Sequence, residues 1–339
     1  MLAVLAPGQG SQKPGFLTPW LDLPGVEARL RSWSELAGVD LVHLGTQADA
    51  EEIRDTAKTQ PLLVSAALLA AEQLPLAEVP GDRVVVAGHS VGEVAAAAIA
   101  GVLPAETAMT FAAARGREMA AACALEPTGM SAVLGGDPDE VAAAIEAAGL
   151  YAANRNGAGQ IVAAGALPAL QAFAAAPPPK TRVIPLQVAG AFHTPYMAPA
   201  EKALAALADG ITPAPPQRIL LSNADGTAVA DGATVLARLV AQVTAPVRFD
   251  LCLRTLAELG VTGIVELPPA GTLAGLAKRE LKGIPIVAVN TPDDLAAARE
   301  LIAQHTAATS QETGASSDGN PSDPASPGQP LAPTGGGNP

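Results

Sequence analysis

Short apolar runs alternate with Ala- and Leu-rich stretches along most of the chain, separated by Gly- and Pro-containing turns. Leu2–Ala6 and residues 84–87 are apolar runs, the latter rich in β-branched residues, the pattern of buried strands. Residues 26–37, 60–74 and 104–125 read as helices. Leu62, Leu63, Ala66, Ala67, Leu69 and Ala70 give the second a broad apolar face. The pattern then changes. Residues 129–134 suggest a strand, Asp137 caps a helix reaching Ala148, and strands at 150–153 and 159–165 flank a polar loop from Asn154 to Gly159. A helix at 167–175, the breaker Pro177-Pro178-Pro179 and a strand at 181–188 complete a β-α-β-β-α-β order, which is ferredoxin-like. From a helix at 195–208 onward, strands near 218–222, 262–266 and 284–288 alternate with helices near 233–243, 249–259, 271–281 and 292–304. That alternation predicts a doubly wound α/β sheet.

The expected organisation is therefore a large α/β-hydrolase-like domain over 1–126 and 191–305, with a small ferredoxin-like subdomain inserted at 127–190. The cleft between the two is the natural substrate site. From Thr306 the composition turns to Ser, Thr, Gly, Pro, Asn and Gln and no apolar period survives, so 306–339 is expected to be a disordered tail.

Composition narrows the function. At 49% hydrophobic and only 3% aromatic, the 339-residue chain has a core built from Ala, Val and Leu. A net charge of −13 disfavours nucleic acid as a partner. The two cysteines, Cys123 and Cys252, form no metal or redox motif and are expected to be buried and reduced. No signal peptide and no 18-residue apolar span is evident, which points to a cytoplasmic protein acting away from membranes.

The strongest chemical signal lies between the strand at 84–87 and the helix that follows. Gly88-His89-Ser90-Val91-Gly92 is a G-x-S-x-G match in its strand–turn–helix setting, a nucleophile elbow. The serine Oγ is exposed at the apex of a tight turn, and the amide of Val91 is an oxyanion donor candidate. Such a serine needs a base. Of four histidines, His43 lies in a helix-like stretch, His305 borders the tail and His89 adjoins the serine, pointing away from it. His193, in a loop before a helix, is the favoured base. No Asp or Glu announces itself as its partner, and a backbone carbonyl or amide can hold the imidazole tautomer instead. Gln9, in the loop Pro7-Gly8-Gln9-Gly10-Ser11-Gln12, sits at the edge where α/β sheets bind ligands. Arg115 lies on an Ala-rich helix; facing the cleft, it would suit a substrate carboxylate.

Together these motifs resemble the malonyl-CoA:acyl carrier protein transacylases. The matching stretches are Pro7 to Gln12, Thr59-Gln60-Pro61, Gly88 to Glu93, Arg115-Gly116, Asn156 with Gly159-Gln160, Gly190-Ala191-Phe192-His193, Ser222-Asn223, Gln242 with Pro246-Val247, and Gly271 to Arg279. They occur in the family's order over about residues 1–300. The resemblance implies Ser90 as nucleophile, His193 as base, Gln9 and the Val91 amide as oxyanion hole, Arg115 as partner of the malonyl carboxylate, and Gln242 as the carbonyl that holds His193. It also implies that Phe192, Met119, Asn156 and His89 line the substrate site, with Phe192 favouring malonyl over bulkier groups. One departure is Leu267-Pro268-Pro269-Ala270-Gly271, where the family more often has Gly-Pro-Gly.

The implied partners are malonyl-CoA and acyl carrier protein, with the chain acting as a monomer and needing no metal or redox cofactor. The carrier protein is acidic in this family. It would need a local basic patch on an acidic enzyme, with Arg155, Lys180, Arg182, Lys278 and Arg279 as candidates. Two other readings stay open from sequence: a serine esterase or thioesterase that transfers to water, and a catalytically idle docking subunit.

Overall fold

The computed structural model describes residues 1–312, with side chains to residue 306. The first half of the large lobe runs β1 (Leu2–Ala6), α1 (Val26–Ala37), α2 (Leu41–Thr46), α3 (Thr56–Glu72), β2 (Val84–Gly88), α4 (Gly92–Ile99) and α5 (Ala105–Cys123). The small lobe follows as β3 (Thr128–Gly135), α6 (Pro138–Ala147), β4 (Tyr151–Gly157), β5 (Gln160–Ala166), α7 (Leu167–Ala175) and β6 (Thr181–Pro185). The chain then returns through α8 (Ala198–Ala208), β7 (Ile219–Leu220), α9 (Gly232–Ala241), β8 (Val247–Arg248), α10 (Phe249–Glu258), β9 (Gly263–Glu266), α11 (Thr272–Glu280), β10 (Ile286–Ala288) and α12 (Leu295–Glu312).

The large sheet is parallel throughout, in the order β10-β9-β1-β2-β7. Apart from Glu266 at the end of β9, its strands carry only apolar residues and glycine, as suits a parallel sheet covered on both faces. Leu2, Val4, Ala6, Val84 and Val86 point into one core, while Ala3, Leu5, Val85 and Ala87 point into the other. β1 is central, with β2 on one side and β9 on the other, so the chain order reverses there. The loops that leave β1 and β2 open at the carboxyl edge beside this switch point, where α/β sheets place their ligands.

The small sheet has the order β6-β3-β5-β4, antiparallel, the ferredoxin-like arrangement. Val133, Ile161 and Ala163 face α6 and α7, while Met130, Val162 and Ala164 face the large lobe's core. Asp137 caps α6 as expected, accepting from the amides of Asp139 and Glu140.

Four expectations need correction. The polar stretch Asn154-Arg155-Asn156 is strand, not loop, and the turn shrinks to Ala158 and Gly159, both at positive φ. Asn154 and Asn156 are buried there because β4 has a neighbour on each side. The second neighbour is β8, which pairs parallel to β4 through Asn154↔Val247 and Arg155↔Arg248. A strand of two residues leaves no alternation to read, so the sequence hid this fifth member of the small sheet. α3 begins at Thr56, not at 60, because Asp55 caps it through the Ala57 amide, and Pro61 lies inside the helix. Finally, α12 continues to Glu312, beyond the expected end near 304 and into the stretch taken as tail. Residues 313–339 of that tail lie outside the described residues. Among the described residues no helix is long and apolar enough to cross a membrane.

Candidate active site

The elbow is forced by close approach of three backbones. A Cβ on Gly88 would stand 2.1 Å from the carbonyl carbon of Gly92, and one on Gly92 would stand 2.1 Å from the carbonyl oxygen of Ala6. Only glycine lets β1, β2 and α4 meet so tightly. Ser90, at the apex, is held at φ 54°, in the left-handed region that ordinary residues avoid.

His193 reaches this serine from the loop that returns from the small lobe. Its Nε2 lies 2.8 Å from Ser90 Oγ. Its Nδ1 lies 2.7 Å from the backbone carbonyl of Gln242. A carbonyl only accepts, so Nδ1 carries the proton and Nε2 is left as an acceptor for the serine hydroxyl. The ring is buried, and it too sits at a positive φ, 60°. Burial, aided by the positive charge of Arg115 and opposed by the Gln242 carbonyl, pulls His193 down to about 3. The imidazole is neutral at physiological pH, the form able to accept a proton.

Arg115, on α5, is also buried. Its Nη2 donates to Gln242 Oε1 at 2.9 Å and lies 3.3 Å from Ser90 Oγ, while Nη1 donates to Gln60 Oε1 at 2.7 Å. Its Nε has no partner. Among the described residues no carboxylate lies in ion-pair range of it. Burial lowers its pKa to about 10, so it stays charged.

The other expected residues fall around this centre. Gln9 is half-buried in the loop after β1, alongside the elbow: Ala6 pairs with Gly88, and the His89 amide donates to the Ala6 carbonyl. Val91 is buried at the N-cap of α4, where the amides of Gly92, Glu93 and Val94 donate to the carbonyls of His89, Ser90 and Val91. His89 turns away from Ser90 and its Nε2 pairs with Asn156 Oδ1 at 2.8 Å, joining the elbow to β4. Asn156 Nδ2 donates in turn to Gln160 Oε1. Met119, one turn after Arg115, accepts from Gln60 Nε2 through its sulfur at 3.4 Å. Phe192 is buried in the core cluster that spans both lobes. A cavity of about 520 Å³ opens between the β4–β5 turn and helices α10 and α11, lined by Arg155, Gln160, Arg248 and Arg254 together with Asp139, Asp250 and Glu280. The remaining histidines lie elsewhere: His43 pairs with Glu52, and His305 contacts Thr262 and the Leu301 carbonyl.

A serine paired to a neutral histidine, beside a buried and charged arginine, suits transfer of an acyl group that carries a carboxylate. Residues 5–312 match the acyl transferase domain family. The malonyl CoA-acyl carrier protein transacylase of Mycobacterium tuberculosis is 58% identical over 296 residues, covering 87% of this chain and 98% of the relative. The chain belongs to the malonyl CoA-acyl carrier protein transacylase family. The transacylase of that name from Escherichia coli K12 is 33% identical, covering 88% of this chain and 99% of its own. A crystal structure of the Mycobacterium tuberculosis transacylase superposes with a TM-score of 0.84 at 57% identity, covering 88% and 99% of the two chains. A malonyl-transacylase solved in complex with its type II PKS acyl-carrier protein gives 0.83 at 30% identity, covering 88% and 99%.

Within this transacylase fold, three polar side chains that sequence reasoning gave no role lie in the same network: Gln60, Glu93 and Asn223. All are buried. Asn223 Oδ1 accepts from the Ser90 amide at 2.8 Å, and Asn223 Nδ2 donates to the Gly88 carbonyl at 2.7 Å, bracing the strained turn. The available signal was compositional: Glu93 is a lone acid opening the run Val94-Ala95-Ala96-Ala97-Ala98, where a buried carboxylate needs a reason.

Proposed function

We propose that this chain transfers the malonyl group of malonyl-CoA to the phosphopantetheine thiol of acyl carrier protein through an acyl-serine intermediate. The observation that carries the reading is the position of Arg115 Nη2, 3.3 Å from the oxygen of Ser90 that His193 also holds. In a malonyl thioester a single methylene separates the acyl carbon from the carboxylate. An acyl carbon seated on Ser90 Oγ therefore brings its carboxylate to the guanidinium.

His193 Nε2 takes the serine proton as Oγ attacks the thioester carbonyl. The resulting oxyanion sits between the Val91 amide and Gln9, and loss of either donor would cost roughly 100-fold or more in rate. The C–S bond breaks, the imidazolium returns its proton to the CoA thiolate, and malonyl-Ser90 remains. The carrier's thiol then gives its proton to His193 and attacks the ester, and the tetrahedral intermediate collapses as the imidazolium returns that proton to the departing Ser90 Oγ. The Gln242 carbonyl keeps the imidazole in the required tautomer throughout. On this reading the chain works as a cytoplasmic monomer with neither nucleic acid nor membrane as partner, in keeping with its net charge of −13.

The test is incubation with labelled malonyl-CoA, with and without carrier protein. Wild type should form malonyl-Ser90 and pass the label to the carrier faster than to water. Ser90→Ala should form no acyl-enzyme while keeping its melting temperature. A Ser90→Ala protein that still accumulates label, or hydrolysis that outruns transfer, would overturn the proposal.

A further inference from the structure

Arg115 is held by two neutral amides, and each amide is itself held one way round. Gln60 Nε2 donates to the Met119 sulfur, which leaves Oε1 to accept from Arg115 Nη1. Gln242 Nε2 donates to Glu93 Oε2 at 2.6 Å and to Asn223 Oδ1 at 3.1 Å, which leaves its Oε1 to accept from Nη2. Turned over, the Gln242 amide would set NH₂ against guanidinium, donor against donor. Asn223 is fixed by the same carboxylate oxygen, since its backbone N–H donates to Glu93 Oε2 at 3.1 Å while its Oδ1 receives the Ser90 amide. One atom, Glu93 Oε2, thus stands behind the residue that meets the substrate carboxylate, the residue whose carbonyl orients His193, and the residue that braces Ser90.

We propose that Glu93 is a positioning residue of the transacylase reaction, acting through the side-chain amide of Gln242 and the backbone of Asn223 to aim Arg115 at the acyl carboxylate. This rests on the malonyl-transfer reading given above. The demand is for an acceptor, not for a charge. Burial pushes the Glu93 carboxyl up to about 7, against the lowering influence of Asn223, Ser222, Gln242 and Arg115. A neutral Glu93 still offers Oε2 as acceptor when its proton sits on the other oxygen. Glutamine has nearly the same shape and one acceptor oxygen, so it should stand in; alanine should not.

The experiment measures malonyl- and acetyl-enzyme formation for wild type, Glu93→Ala and Glu93→Gln. Glu93→Ala should lose about 10- to 100-fold in kcat/KM for malonyl-CoA, the effect of leaving buried donors unmatched, with a smaller loss for acetyl-CoA, which has no carboxylate for Arg115 to meet. Glu93→Gln should recover malonyl acylation to within about three-fold of wild type. Equal losses for both thioesters in Glu93→Ala would mean that the carboxylate merely supports the fold, and a Glu93→Gln as impaired as Glu93→Ala would show that charge is what matters. Either result overturns the proposal, as does a Glu93→Ala protein that behaves as wild type. Should Glu93→Ala not fold, Gln242→Met removes the same amide and keeps the backbone carbonyl. It should reproduce the loss of malonyl preference, and an unchanged preference there would equally overturn the idea. Wild-type malonyl transfer in the same assay tests the underlying reading separately.

Discussion

Arg115 is a buried cation whose two Nη atoms rest on amide oxygens and whose Nε rests on nothing. Burying a charge in this way is costly unless something arrives to match it. Arg115→Ala should therefore cost malonyl acylation about 2–5 kcal/mol and spare or favour acyl groups without a carboxylate. Competition between malonyl- and acetyl-CoA checks this, and an unchanged ratio would remove Arg115 from the acyl pocket. His193 yields a prediction of pH dependence. A histidine at its ordinary 6.5 would be half protonated there and half as active as a base, but burial and Arg115 hold this one at about 3. The neutral form persists as pH falls, so the acylation burst should show no decline centred on 6.5 between about pH 8 and pH 5. A half-maximal loss near 6.5 would contradict the neutral, buried imidazole. At this scale the sequence was informative where chemistry is local. Ser90 announces itself through its flanking glycines, and His193 through the poverty of the other histidines. The roles of Gln60, Glu93 and Asn223 were not legible because they lie in contacts spanning 55 to 149 residues, such as Gln60–Arg115 and Glu93–Gln242.

The elements were legible to the extent that they carry a period. β1, β2 and the α6 cap follow from apolar runs and a capping aspartate, because burial on two faces and an unsatisfied helix end leave marks in consecutive residues. β8 and the polar half of β4 did not, since their pairing is decided by each other across 93 residues and by no pattern within either. The elbow itself is the element most sensitive to change. Gly88→Ala would press a Cβ to 2.1 Å from the Gly92 backbone, which has no flexible side chain to yield. Overpacking usually costs about 1–3 kcal/mol and more where backbone meets backbone, so the variant should lose at least roughly 3 kcal/mol in urea unfolding and form no acyl-enzyme. A Gly88→Ala protein of native stability would mean that the turn relaxes without this contact.

For the whole molecule, the matter is how an acidic enzyme would receive a carrier protein that the family resemblance implies is acidic too. Lys180, Arg182, Lys278 and Arg279 are exposed, and Arg155 lines the cavity beside the β4–β5 turn, where its partner Asp139 is 92% exposed at 3.6 Å. An exposed ion pair of that kind contributes little, so Arg155 can exchange Asp139 for a partner's acid. Reversing Lys278 and Arg279 to glutamate should slow transfer to the carrier and weaken its salt dependence while leaving acylation by malonyl-CoA intact. Equal slowing of both half-reactions would mean that these side chains serve CoA or the fold instead.

The pairing of β8 with β4 bears on how the molecule could be cut and rejoined. β3 and β6, the first and last strands of the small lobe, lie side by side, so excision at 127 and 186 would leave ends that a short linker could bridge. The lobe looks like a detachable cassette in the sequence and is not one in space. The fifth strand of its sheet is on loan from the segment at 247–248, five residues beyond the glutamine whose carbonyl orients His193. A chimera that exchanges 128–185 alone between relatives would part β4 from the strand it pairs with in this chain. An exchange that keeps the five-stranded sheet whole takes two pieces, 128–185 together with 247–248, and the donor of one must donate the other.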